Sequence, residues 1–264
     1  MTSYPTSIGA ADADSINVLG QDLAADLMGK VGFAELAFWL VSLRRPTPGE
    51  QRVFEAVLVA LADHGFTPTA IAARLTLTGA PESVQGALAA GLLGGGSRFL
   101  GVTEDAGRFL DRALADHVAA AGALPTTEGG WDSLAAEAVR TQRAAGRYVP
   151  GLGHTLHKHG DPRTPVLLRI AAEEGQLGPH LRLFEAIGRA HPGVLGRTLP
   201  LNGAGACGAA LCDLGFPVDV LRGFALLART AGLLGHLAEE MRRPIGLDLY
   251  AEVERATDYR PPSD

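Results

Sequence analysis

Three histidines, a lysine and an Asp-Pro-Arg fall within one short stretch of this chain, Tyr148-Val-Pro-Gly-Leu-Gly-His-Thr-Leu-His-Lys-His-Gly-Asp-Pro-Arg163. An imidazole changes protonation near neutral pH, so His154 is a candidate to donate or accept a proton at a carbonyl or hydroxyl. Gly151 and Gly153 would let backbone N–H groups come close to a ligand. A metal held by His154, His157 and His159 is a second reading, disfavoured because no Cys or Glu joins them and Asp161 is the only nearby carboxylate. An ordinary polar loop is a third. The other chemistry-bearing residue is Arg229, inside the apolar run Phe224-Ala-Leu-Leu-Ala-Arg-Thr-Ala-Gly-Leu-Leu-Gly-His236. A guanidinium there is buried on at least one side and needs a carboxylate, supplied by the chain's own acids or by a bound ligand.

The elements that position these residues read as helices. Segment 50–64 is apolar at Val53, Phe54, Val57, Leu58 and Leu61, with a stop at Gly65. Further helical patterns span 68–75 with Thr67 as N-cap, 81–94 opened by Pro81, and then 104–121, 131–145, 164–174, 179–190 and 206–214. The longest runs over 217–242, from Pro217 to the residues before Pro244. No period-two alternation or hairpin signal stands out. The glycines at 94–96 mark a break and a candidate hinge, and the tail from Tyr259 onward reads as frayed.

Composition limits the function classes. The chain has 264 residues, 47% of them hydrophobic and 20% charged, enough to bury a sizeable core. A net charge of −6 gives no footprint for nucleic acid or an anionic membrane. No stretch is long and apolar enough to span a bilayer, and the start lacks the pattern of a secretory signal. The two cysteines, Cys207 and Cys212, suit a reducing cytoplasm, with Cys207 read as a small buried hydrophobe. The remaining histidines read blandly. His117, His180 and His191 are expected to be solvated, and His236 is either packed in the core or a substrate contact.

Three separated motifs together resemble the citrate synthase superfamily. The loop 150–163 is similar to the family's Gly-x-Gly-His…Asp-Pro-Arg signature. The stretch His64-Gly-Phe-Thr-Pro-Thr-Ala-Ile-Ala-Ala-Arg74, with the glycines at 94–96 after it, resembles the region leading to the family's Gly-Pro-Leu-His-Gly-Gly loop. The run from Ala228 to Pro244 resembles its C-terminal helix. Among members, the short citryl-CoA lyases are most similar in length. The resemblance implies an all-α homodimer. Its large domain would comprise residues 1–96 and 215–264, with a small lid domain over 97–214.

The resemblance also implies roles. His154 would be the catalytic imidazole that hydrogen-bonds the reacting carbonyl or hydroxyl. Arg163 and Arg229 would bind substrate carboxylates, Arg243 would do so across the dimer interface, and His64 would be a further dicarboxylate contact. The backbone of Gly151, Leu152 and Gly153 and the side chain of Lys158 would hold coenzyme A, which enters as part of the substrate rather than as a tightly bound cofactor. Arg147 and Lys158 bracket that loop as cations for its phosphates. Asn202 stands in the family's Asn-x-Asp motif and is counted with the substrate-binding residues. Two departures are plain. The enolate-stabilising His of the family falls on Gly94, and the Asp that exchanges the α-proton falls on Ala204. Three functions therefore stay open. They are a citryl-CoA lyase-like enzyme, a repurposed enzyme acting on a related β-hydroxy or β-keto acid or acyl-CoA, and a non-catalytic dicarboxylate- or CoA-binding homologue.

Overall fold

The structure, a computed structural model, describes residues 2–262. It opens with a small antiparallel meander of β1 (Gly9–Ala11), β2 (Ile16–Val18) and β3 (Gln21–Asp22). Strands of two or three residues are too short for alternation to register, which is why the sequence pattern gives no sign of them. Helices carry the rest: α1 (Phe33–Ser42), α2 (Pro48–Ala62), α3 (Pro68–Gly79), α4 (Val84–Leu93), α5 (Val102–Ala121) and α6 (Glu128–Ala144), then α7 (Arg163–Glu173), α8 (Pro179–Leu195), α9 (Gly203–Asp213), α10 (Leu221–Arg242) and α11 (Gly246–Arg255). No helix among the described residues is long and apolar enough to cross a membrane.

Local chemistry sets most boundaries. Thr47 and Glu50 form a reciprocal capping box at α2, and Thr67, Thr127 and Asn202 cap α3, α6 and α9. Three expectations are corrected. Pro81 lies before its helix, which starts at Val84 behind the cap Ser83, because Ser83 satisfies an N–H that proline cannot. Pro217 precedes a 3₁₀ turn over Val218–Val220, and α10 starts only at Leu221. Helices α1 and α11 are additional. The first is too uniformly apolar for a clear stripe, and the second is mostly exposed. Of the expected frayed tail, Ser263 and Asp264 lie outside the described residues, and 257–262 carries no helix or strand.

Helix α9 lies at the centre of the core. Every residue from Gly205 to Leu211 is buried, and α5, α7 and α8 pack around it. Its glycines permit that approach. A Cβ on Gly208 would stand 2.1 Å from the Thr103 carbonyl oxygen of α5, and one on Gly205 would stand 2.5 Å from the Gly151 Cα. An edge-to-face aromatic cluster of Phe38, Phe54, Phe216 and Phe224 fills the space between α1, α2 and α10. Cys207 is fully buried, as expected, and burial pushes its thiol up to about 12. His191 departs from expectation. It is buried, its Nδ1 meets the Ile187 carbonyl at 2.8 Å, and its Nε2 accepts from the Leu199 N–H at 2.9 Å, so it closes the end of α8.

A smaller cluster joins α3, α4 and α10 through Ala70, Ala73, Leu77, Ala87, Leu233 and Leu237. Beside it Arg74 is fully buried. It donates to Glu240 at 2.9 Å, to Glu239 and to His236 Nδ1, and His236 reaches Asp63 at 3.0 Å. His236 is therefore a packed, hydrogen-bonded histidine. The close α5–α9 contact gives a first test. Gly208→Ala must push α5 away and is expected to cost about 1–3 kcal/mol of stability, read as a lower midpoint in urea unfolding.

Candidate active site

The loop between α6 and α7 is pinned to the start of α9. Gly153 donates its N–H to the Pro200 carbonyl at 2.7 Å, and Asn202 donates from its backbone to Gly151 and from its side chain to the Gly153 carbonyl. The Asn202 side-chain oxygen also caps α9 by accepting from Gly205 N–H at 2.9 Å. Gly151 and Gly153 adopt φ of +83° and +90°, and a Cβ at Gly151 would stand 2.7 Å from the Phe184 ring. Gly151 thus serves a close chain crossing, and the N–H of Gly153 is already bonded inside the protein. Asn202 likewise ties the loop to the helix.

Three imidazoles meet at the end of this loop. His64 lies just beyond the C-terminus of α2, with His154 and His157 opposite it; ring centroids are 5.3 Å apart for His64 with either one and 4.4 Å for His154 with His157. The Nε2 atoms of His64 and His157 are 3.3 Å apart, within reach of one shared hydrogen bond. His154 Nδ1 accepts from the backbone N–H groups of Leu156 and His157, each at 3.0 Å. That fixes its neutral tautomer, because the proton must sit on Nε2, which then faces outward as a donor. Burial lowers the pKa of both His64 and His154, with Arg163 lowering His64 further, so both are neutral at pH 7. Burial thus sets the protonation state that the loop geometry requires.

This trio differs from the set His154, His157 and His159 weighed above, since His159 is exposed and His64 takes its place. Among the described residues these three are the group whose candidate metal-ligand atoms lie within 4.8 Å of one another. They fit an ion poorly. The only lone pair of neutral His154 points at two N–H groups, and a ligating His instead donates its second N–H to an acceptor.

The arginines converge on this same C-terminal end of α2. Arg163 Nη1 donates to the Ala60 carbonyl at 3.0 Å, and Arg229 Nη2 reaches the Leu61 carbonyl at 3.4 Å. These carbonyls belong to the last turn of α2 and have no helical partner, so the negative end of the helix gathers both guanidiniums. Their charges are handled differently. Arg163 grips buried Asp161 through Nε and Nη2 at 3.0 and 2.7 Å, and Asp161 also accepts from Gly203 N–H at 2.7 Å. Arg229, only 5% exposed, has no ion pair among the described residues; Nη1 contacts Thr67 Oγ1 at 3.3 Å and Nε has no partner. Burial lowers its pKa and neighbouring Asp63 only partly opposes this.

Other expected residues lie apart from this centre. Arg243 is exposed at the end of α10 with no ion pair among the described residues. Lys158 donates to the His154 carbonyl at 2.9 Å and so braces the histidine loop. Arg147 lines a cavity of about 1360 Å³ between α5, α6 and the loop, together with Arg98, Arg108 and Arg112, apolar Phe109, Leu134 and Val149, and His154. Gly94 caps the end of α4 with an ordinary negative φ, and a Cβ there would come no closer than 3.4 Å, to Thr69, an ordinary contact, so packing does not require glycine. Ala204 stands in the first turn of α9. Sequence reading missed the His64–His157 contact; the only signal was the three-residue spacing from His154 on a glycine-bounded loop.

The Asp161–Arg163 pair holds this loop, which yields a second test. Burial by itself would raise the Asp161 pKa, but hydrogen bonds from Arg163 and Gly203 hold it well below the carboxylate range. Its contribution is therefore complete above the ordinary Asp value of about 3.9 and is lost as pH falls towards the lower folded-state value. Asp161→Asn leaves Arg163 unpaired and is expected to cost about 3–5 kcal/mol at pH 7. Urea unfolding of both proteins from pH 7 to 3 should show that difference shrinking in acid.

Known proteins share this fold. The family described as citrate synthase, C-terminal domain, matches residues 7–247. The structure of citryl-CoA lyase from Hydrogenobacter thermophilus superposes with a TM-score of 0.84 at 30% identity, covering 99% of this chain and 96% of that one. ATP citrate lyase from Methanothrix soehngenii, solved with citrate and coenzyme A, gives a TM-score of 0.78 at 24% identity over 100% of this chain and 42% of its own. A probable ATP-citrate synthase of Caenorhabditis elegans is 24% identical over 93% of this chain and 22% of its own length. The chain spans between 22% and 40% of the length of the curated relatives it matches. Fold, motif order and these matches agree that the chain belongs to the citrate synthase family.

Proposed function

We propose that the chain is a carbon–carbon lyase of the citryl-CoA lyase kind, splitting citryl-CoA into acetyl-CoA and oxaloacetate. The observation that carries this reading is Arg229. A buried guanidinium without a carboxylate costs several kcal/mol, and an incoming substrate carboxylate offsets that cost by completing a charge-assisted fork. His154 offers a neutral Nε2–H to the oxygen that changes from hydroxyl to ketone as the bond opens. The large cavity at the far side of His154 suits the rest of a CoA thioester, with Phe109, Leu134 and Val149 against the pantetheine arm and Arg98, Arg112 and Arg147 near the phosphates. It exceeds the roughly 300–1,000 Å³ of ordinary ligand pockets, as a nucleotide-bearing substrate requires.

In this reading the glycines at 94–96 and Gly215 act as hinges between a large domain, 1–96 and 215–264, and a lid, 97–214. Exposed Arg243 is then free to reach the site of a partner copy in a homodimer. The two free cysteines suit a reducing compartment such as the cytoplasm. The active site is atypical, with Gly94 and Ala204 where the family resemblance expects His and Asp. Those two positions favour a second reading, a homologue that binds CoA and dicarboxylate without turnover.

Incubation with citryl-CoA separates the two readings, since the lyase releases acetyl-CoA and oxaloacetate and the binder does not. Arg229→Gln tests the carrying observation. Removing a buried charge that lacks a partner should leave the ligand-free melting temperature unchanged or raised. The same change should cost at least about 2 kcal/mol of substrate binding, a KM roughly 30-fold higher. A lower ligand-free melting temperature with unchanged KM would count against the role.

A further inference from the structure

Cleaving citryl-CoA moves one proton, from the tertiary hydroxyl to the carbon that becomes the methyl group of acetyl-CoA. Some group must carry it. His154 is the obvious candidate, and its geometry disqualifies it. Two backbone N–H groups occupy its lone pair at 3.0 Å, so the nitrogen that faces outward already holds a proton. Gly94 and Ala204 offer no group that can carry a proton, and the Cys207 thiol is fully buried and protonated.

Resting on the lyase reading, we propose that His157, braced by His64, is the acid–base residue of the reaction. Its ring sits 4.4 Å from that of His154, beside the donor that holds the reacting oxygen. Its Nε2 is 3.3 Å from His64 Nε2, and no hydrogen bond among the described residues engages its Nδ1. A neutral imidazole that gives its Nε2–H to His64 has a bare Nδ1, which is a base. Taking a proton there makes an imidazolium whose Nε2–H stays bonded to the neutral His64, the way a triad orients and supports its histidine. Burial keeps His64 unprotonated and able to accept.

The step balances without outside reagents. His157 Nδ1 takes the hydroxyl proton, and the oxygen lone pair becomes the ketone of oxaloacetate. The carbon–carbon bond breaks, and its electron pair forms the enolate of acetyl-CoA. The same Nδ1–H then protonates the enolate carbon, which returns His157 to its starting state.

The test compares wild type, His157→Ala and His159→Asn, the last changing an exposed neighbour on the same loop. For His157→Ala, kcat on citryl-CoA should fall by about 10²–10⁴ with KM within about threefold. Added imidazole should restore part of that loss, and His159→Asn should keep the wild-type rate. Rescue separates proton transfer from a structural role, because free imidazole cannot rebuild a misfolded loop. A wild type that does not cleave citryl-CoA overturns the lyase reading and this assignment with it. A wild type that cleaves, alongside a His157→Ala variant that keeps its kcat or loses it beyond imidazole rescue, overturns the role of His157 alone.

Discussion

The last turn of α2 organises the site. A helix ends with carbonyls that have no intrahelical partner and carry a partial negative charge, and here the carbonyls of Ala60 and Leu61 each receive a guanidinium. Both arginines sit on that helix end, yet among the described residues only one is neutralised. Asp161 answers Arg163 with a bidentate pair and leaves Arg229 buried beside it with no ion pair among the described residues. The site is thus poised by an imbalance, one fixed positive charge more than the interior can satisfy. Since α2 leads directly into Asp63 and His64, the same helix end also sets the position of the first imidazole.

Close packing makes this imbalance tolerable. The glycines and alanines of α9 let α5 and the histidine loop approach at backbone contact, so α9 fixes Asn202, Gly203 and hence Asp161 with little freedom. On the opposite side the buried Arg74 joins Glu239, Glu240 and His236, and His236 holds Asp63. Asp63 is therefore anchored by α10 while it precedes His64. Two rigid supports, one made of small residues and one of ion pairs, hold the imidazoles and guanidiniums against each other.

The histidine trio shows how backbone geometry assigns chemical roles to identical side chains. His154 is made a donor by two N–H groups of its own loop, and His64 is kept neutral by burial and the nearby Arg163. His157 shares its Nε2 with His64 and has no hydrogen bond at Nδ1 among the described residues. Three imidazoles within one turn of chain and one helix end are chemically alike in sequence, and they become distinct only through the hydrogen bonds around them.

Much of this was legible in the residues. Apolar spacing and caps located nine of the helices, because 3.6-residue periodicity and an N-cap hydroxyl are local properties of the chain. Motif order pointed to the family, to His154 and Arg229 as site residues, and to the departures at Gly94 and Ala204. What only the tertiary structure decided was how charges and protons are paired. Whether Arg163 or Arg229 finds a carboxylate, whether Gly153 offers its N–H or gives it to Pro200, and whether His64 or His159 meets His157 all depend on contacts between segments far apart in the chain. A sequence encodes such contacts only through the packing of the whole core, so residue type and spacing cannot reveal them.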